Sequence, residues 1–527
     1  MKVKKILFII FILVISAVSL VACSDTDATN DNEATEGAEG KGKTEIRIAY
    51  DTIPPTLDPH MSTATGTFDF ATQIFEPLFA IDSKYNPQPM LAESHMVSED
   101  GKTITITLRQ GVTFHNGDEM RAEDVVASMK RWQEISVLGR GHLGDASFEA
   151  NGDYEVILQL AEPNPLIINT LSNPQQFAAI MPKEVIESAT ADGVTEYIGT
   201  GPYMVEEWVD TQSLHLKKYE DYVALDTPSD GLSGTKKASV DDIYIDIVTD
   251  ETIRFSGLQT GEYDIAMRLS YDNAEQMKSD SSIKTFVEPF GFQGLFFNKR
   301  EGIFADNTAR KAVNATLNME EILTAAYVSE EYYVANHSIV TPDQELWYSD
   351  AGSDQYNQKD PEKAKKLLEE FGYNGEEVTI LASREYPAHY QAALVIQSQL
   401  EDIGMNINLE VYDWATLLEH REDPGAWDIF ISGFNFEPLP TDAVYLHSKN
   451  EYAGWSESAE IDRLVEEIQQ SESQEEASQL FSELQAEVWD YLPFILFGHH
   501  KPLIAMQSNI EGFEVDYSMV LWNIEKQ

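Results

Sequence analysis

His499-His500 is the chain's only pair of adjacent histidines, and so the first place to look for a metal centre. Ligands must converge on one point. Consecutive side chains leave a strand on opposite faces and do not share a face of a helix. The pair therefore supplies one ligand and one structural histidine at most. Neither a G-x-S-x-G nucleophile turn nor an H-E-x-x-H zinc helix occurs in the sequence. Two glycine patterns imitate phosphate cradles. Gly37-Ala-Glu-Gly-Lys-Gly42-Lys43-Thr44 satisfies G-x-x-x-x-G-K-T letter for letter. A cradle needs a strand before it and a helix N-terminus after it; here a polar stretch precedes, and alternating Ile46, Ile48 and Tyr50 follow. Gly139-Arg-Gly141-His-Leu-Gly144 fits G-x-G-x-x-G, but the sequence ahead of it around Trp132 is helix-like, and no strand feeds it. Both read as chance matches. No enzyme, metal centre or cofactor is expected, which leaves binding without bond-making.

The only cysteine, Cys23, stands at the exit of an apolar run. Lys2, Lys4 and Lys5 precede Ile6 to Val21, a segment that as a helix would span about 24 Å, short of the ~30 Å of a bilayer core. Residues 1–22 thus read as a signal peptide. The sequence L-V-A-C resembles the lipobox of bacterial lipoproteins. That resemblance implies cleavage before Cys23, acylation of its sulfur, and a protein anchored to the outer face of the cell membrane; the alternative is an ordinary secretory signal that contains a cysteine. Two acyl chains suffice for lasting attachment where one is marginal. Residues 23–43, rich in Asp, Glu, Gly and Thr, read as a disordered tether. With no cysteine left, disulfides and thiolate metal sites are excluded.

Charge narrows the partners. Asp and Glu number 90 against 36 Lys and Arg, a formal net of −54. Such a surface repels nucleic acid and anionic headgroups. It also repels itself, which suits a salty or alkaline exterior where screening limits the cost. Against so few cations, an arginine in a plausible pocket carries weight.

The elements that must position any site alternate between strand and helix. Ile104, Ile106 and Leu108 alternate with threonines; Val156, Leu158 and Leu160 with polar residues; Ile243, Ile245 and Ile247 with Tyr244 and Asp246. Each spacing predicts a half-buried strand. Asp360-Pro361, then Ala364, Leu367, Leu368 and Phe371, then Gly372, predict a capped helix. A second helix runs from about Tyr390 to Ile403, and Ile407, Leu409 and Val411 form a strand after it. Strand, helix and strand within about 35 residues predict an open α/β sheet. Asp226 to Lys237 reads as a surface insertion. About 480 residues beyond the tether are too many for one core, so two or three domains are expected.

Several segments, read in order, carry a resemblance. They are Phe75-Glu76-Pro77-Leu78, Pro89-Met90-Leu91-Ala92-Glu93-Ser94, Asp100-Gly101-Lys102, Leu108-Arg109-Gln110-Gly111-Val112, Phe114-His115-Asn116-Gly117 and Ala122-Glu123-Asp124-Val125. Gly199-Thr200-Gly201-Pro202-Tyr203, Arg310-Lys311-Ala312-Val313-Asn314 and Pro361-Glu362-Lys363-Ala364 follow. From about residue 44 to its end the chain resembles the oligopeptide- and dipeptide-binding lipoproteins, the solute-binding proteins of ABC importers. The resemblance implies an α/β, two-lobed clamp of the periplasmic-binding-protein type, with an extra subdomain in the first lobe. Lobe I would comprise 44–79, 200–287 and 495–527, the subdomain 80–199, and lobe II 288–494. It also implies a monomer that takes up a short peptide and delivers it to a membrane permease with ATPase subunits. Nickel chelates, glutathione-like compounds and oligosaccharides are alternative cargoes within the superfamily.

In the dipeptide-binding relatives an arginine takes the peptide carboxylate and an acid takes the amine. The matching positions here are Arg384, ahead of Ile403-Gly404, and Glu437, at the end of Trp427 to Glu437, where the relatives carry aspartate. A zwitterion needs one cation and one anion, and arginine grips carboxylate with two parallel hydrogen bonds. The alternative for Arg384 is a pair with Glu385 or another surface acid. Candidate walls are Trp414, Phe434, Trp455 and Phe292, with Phe290 beside it; for each the alternative is core packing. Tyr203 reads as a hinge or packing residue.

Overall fold

The computed structural model describes residues 44–287 and 290–527. The signal peptide, Cys23, the tether and all of the phosphate-loop look-alike but Thr44 lie outside the described residues.

Three sheets organise the molecule. The first has seven strands, in spatial order Ile283–Val287, Leu503–Gln507, Ile265–Leu269, Glu45–Tyr50, Asp242–Ile247, Ser213–Lys218 and Tyr203–Val209. Glu45–Tyr50 lies parallel to both its neighbours, and Ile46, Ile48 and Tyr50 are fully buried, as are Ile243 and Ile245. This is lobe I. Its extra subdomain is a four-stranded antiparallel sheet in the order Ala92–Val97, Thr103–Leu108, Glu155–Gln159 and Ser147–Ala150. The helix Ala122–Ile135 drives Val125, Met129 and Trp132 into the core that Ile104, Ile106, Leu108, Val156 and Leu158 contribute from the sheet. The G-x-G-x-x-G match falls largely inside a helix, Val137–Leu143, whose N-cap Ser136 accepts from the Gly139 N–H.

Lobe II carries six strands in the order Tyr333–Val334, Phe494–His500, Gly291–Phe297, Ile429–Asn435, Glu377–Ser383 and Asn406–Tyr412. The helix Pro387–Asp402 links the parallel pair Glu377–Ser383 and Asn406–Tyr412. On one face a core of Ile380, Ala392, Ile396 and Leu400 forms. On the other, Phe292, Phe430, Leu464 and Phe481 pack. The helix Pro361–Phe371 is capped as its sequence predicts: Asp360 accepts from the Lys363 N–H, Pro361 occupies the first turn, and Gly372 ends it at φ 88°.

Two expectations need correction. Residues 495–500 belong to lobe II, since Phe494–His500 pairs with Gly291–Phe297, and only Leu503–Gln507 returns to lobe I. The crossing is Lys501-Pro502, where proline cannot continue a ladder. The stretch 226–237 is also not a simple surface insertion. Its second half turns inward, burying Leu232 beside Trp522 and setting the Lys236 ammonium 4.3 Å from the centre of the Trp522 ring.

Candidate binding site at the strand ends of lobe II

Glu377–Ser383 is parallel to Asn406–Tyr412 and to Ile429–Asn435, so all three strands end at one edge of the sheet. The antiparallel neighbours start and finish there, with Gly291 first and His500 last in their strands. Open α/β sheets bind ligands beyond the carboxyl ends of their strands. Arg384, Trp414 and Glu437 each follow one of these ends within two residues.

Lobe I faces this edge. The Asn435 amide donates to Thr65 Oγ1 at 3.3 Å, and His142 Nε2 lies 2.6 Å from Asp442 Oδ1. Lys84 donates to Glu345 at 2.6 Å, and Arg268 stands 5.6 Å above the Phe290 ring.

Arg384 is exposed. Its Nη2 donates to the Tyr390 hydroxyl at 3.3 Å, and its guanidinium lies 4.9 Å over that ring. Among the described residues no carboxylate pairs with it. Glu385 instead accepts from the Trp414 backbone N–H at 2.9 Å, so it does not partner Arg384. Glu437 is half-buried, but its Oε2 is enclosed and finds no partner among the described residues. Burial, with the nearby Asp442 charge second, pushes its carboxyl up to about 8. An acid held in this state is short of a cation. No contact joins Arg384 to Glu437; one strand end presents a guanidinium without a carboxylate and the other an enclosed carboxyl without a cation.

The aromatic candidates separate. Trp414 is half-buried and meets the Tyr386 ring edge-on at 4.7 Å. Phe434 is half-buried against Tyr445 at 4.6 Å. Phe292, 1% exposed, packs among Phe434, Tyr445 and Phe494, and Trp455 stacks on Trp427 at 5.8 Å. Both are buried, Phe292 within the aromatic core and Trp455 beside a cavity that Arg300 and Tyr445 also line. Tyr203 is fully buried in the core of lobe I. His499 and His500 diverge as adjacent strand residues must: His499 lies 2.7 Å from the Ser338 carbonyl, while the His500 ring stacks on Tyr327. Among the described residues no three His, Cys, Asp or Glu side chains converge on a possible metal position.

Sequence reasoning missed Asp442, Tyr386, His389 and Gln293 at this edge. Asp442 follows Glu437 by five residues in an irregular segment with no periodicity to mark it. His389 opens a helix whose apolar spacing begins only after it.

The fold is a two-lobed α/β clamp whose lobes meet over an unpaired guanidinium and an enclosed carboxyl. Residues 86–455 match the model for the middle region of the bacterial extracellular solute-binding proteins, family 5, and the chain belongs to that family. It is 29% identical over 91% of its length to 93% of a probable peptide ABC transporter periplasmic-binding protein, y4tO, of Sinorhizobium fredii. It is 27% identical over 89% of its length to 91% of the glutathione-binding protein GsiB of Salmonella typhi. A solved dipeptide-binding protein from Pseudoalteromonas, in complex with Met-Leu, superposes with a TM-score of 0.76 at 22% identity, covering 92% of this chain and all of that one.

Proposed function

We propose that this protein captures short peptides between its lobes and delivers them to the permease of an ABC importer, with no covalent chemistry, while Cys23 holds it by lipid to the outer face of the cell membrane. The observation that carries the reading is the pair of unanswered groups at neighbouring strand ends: a guanidinium without a carboxylate and an enclosed carboxyl without a cation. A zwitterionic peptide answers both. Each charge-assisted hydrogen bond contributes about 1.5–3 kcal/mol, so the two ends supply about 5 kcal/mol, and backbone bonds and aromatic contacts add the rest. Nickel chelates gain no support from His499 and His500, which point apart.

The experiment is a thermal-unfolding screen with peptides, nickel chelates and oligosaccharides, followed by calorimetry. A true ligand at 100-fold over its Kd stabilises by about 2.7 kcal/mol. Peptides are expected to shift the transition and the other classes are not. Arg384→Ala is expected to weaken peptide binding by about tenfold or more, with little change in the free protein's melting because the side chain is exposed. A peptide panel without effect removes the reading. For the anchor, Cys23→Ser is expected to release the protein from the membrane fraction into the medium; retention of the variant on membranes counts against lipidation.

A further inference from the structure

A second set of unanswered polar groups lies one step below the rim of the same edge. Gln293, 1% exposed, sits in the central strand Gly291–Phe297, and neither its Nε2 nor its Oε1 has a partner among the described residues. Its register neighbours are Gly433 on one side and Gly498 on the other, so neither adjoining strand lays a side chain over it. His500 is opposite Gly291 in the same ladder. Directly opposed residues share a face, and two residues along a strand return to it. The His500 ring therefore stands on the same face as Gln293, one pair nearer the rim. Its Nδ1 is enclosed and has no partner among the described residues.

His389 closes the group from above. It lies in the first turn of the helix Pro387–Asp402, with Nε2 3.6 Å from where a Cβ on Gly433 would stand. Its Nδ1 is also enclosed, with no partner among the described residues. The ring stacks on Tyr386 at 5.0 Å, and Tyr386 is 44% exposed, so the group reaches the surface two residues beyond Arg384. Four buried polar atoms on three side chains around a glycine-lined gap have no partner among the described residues, and such a cluster calls for an occupant.

Their chemistry selects the occupant. Burial holds His389 down to about 3 and His500 down to about 4, so both rings are neutral at physiological pH, each with one donor and one acceptor nitrogen. A cation is disfavoured because Arg268 lies close enough to His500 to oppose charge there. An anion is disfavoured because Arg268 is already held by Asp51 at 2.6 Å and Asp69 at 3.3 Å. A neutral group that donates and accepts together fits. The carboxamide is the side-chain group that offers both in one plane, matching the Gln293 amide.

We propose that Gln293, His389 and His500 form a subsite for a carboxamide side chain of the bound guest, so that peptides containing glutamine or asparagine are preferred. The proposal rests on the peptide-capture reading above and specifies its cargo. The test is calorimetry with tripeptides that carry Gln, Met, Lys or Glu at each position in turn, on an alanine background. Met matches Gln in length but not in hydrogen bonding. At one position Gln is expected to bind about tenfold more tightly than Met, the factor for leaving buried polar groups unpaired, and Lys and Glu more weakly still. In Gln293→Met the Gln-to-Met ratio is expected to fall to about two or less at that position. His389→Phe, near the surface and followed by its melting curve, is a second variant if the first misfolds, and the ratio should fall there too. Peptides that bind with no Gln preference at any position overturn the subsite and leave peptide capture standing. So does a preference that survives in both variants, which would make these side chains structural only. If no tripeptide binds, peptide capture fails and the subsite falls with it.

Discussion

At the scale of single residues, Glu437 sets the pH behaviour. Its carboxyl titrates near 8 because burial, and then Asp442, oppose its charge. The folded value lies above the ordinary carboxylate value, so the ligand-free protein holds a proton here that the unfolded chain gives up. This favours the fold at acid pH, and the benefit is lost as pH rises from about 4.5 to 8. An ammonium guest reverses the balance by stabilising the ionised form, so binding at pH 7 must expel that proton. Calorimetry of one peptide in two buffers of different ionisation enthalpy is expected to show proton release, and the N-acetylated peptide is expected to show none. Glu437→Gln is expected to weaken free-amine peptides by about 10- to 100-fold and to spare N-acetylated ones. Equal loss for both assigns the carboxyl a structural role instead. Neither this residue nor Arg384 was legible in composition or spacing, because a site assembled from separate strand ends leaves no local pattern. Both came from matching segments to known relatives. Gln293 and the two imidazoles escaped even that, since a buried glutamine between glycines looks like any strand residue until the register is known.

At the scale of elements, what was legible was what local chemistry decides. The helix Pro361–Phe371 is specified by its own ends, and Asp360→Ala is expected to lower stability by about 1 kcal/mol, as loss of an N-cap does, measured by urea unfolding. The strands at 103–108, 155–159 and 242–247 followed from alternation, because one face of each is buried. Sheet membership did not follow. Phe494–His500 and Leu503–Gln507 are both buried along nearly their whole length and separated by two residues, and nothing local says that they join different lobes. The aromatic residues beside glycine misled for a related reason. A glycine flanked by Phe290 and Phe292 suggested an open loop, but a Cβ on Gly291 would stand 2.2 Å from the Phe434 carbonyl oxygen. The glycine marks two backbones pressed together, and Phe292 is accordingly core.

At the scale of the whole molecule, the contact between His142 and Asp442 joins the subdomain to lobe II with both side chains nearly enclosed. Burial opposes charge on His142, but Asp442 outweighs it and raises the imidazole above its usual value. The same Asp442 receives the Asn173 amide at 3.5 Å and faces Glu437. A raised histidine strengthens this contact fully below about pH 6.5 and loses it as pH climbs through the raised value. Peptide release, followed by stopped flow, is therefore expected to quicken as pH rises above about 6.5. His142→Gln is expected to flatten that dependence, with both proteins carrying Glu437→Gln so that only one group titrates. An unchanged pH profile in the variant removes the role. The path of the chain has a consequence of its own. Lobe II is a single excursion, leaving near Phe290 and returning at His500, whose carbonyl oxygen accepts from the Phe290 N–H at 3.1 Å. All its strands have been made by the time the chain reaches Lys501. Lobe I must wait, because Leu503–Gln507 is wedged between strands that end at Leu269 and Val287. Its sheet can close only when the final segment arrives, more than 450 residues after its first strand. Loop closure over such a span is slow, so the sheet of lobe I stays open between those two strands until the chain is nearly complete.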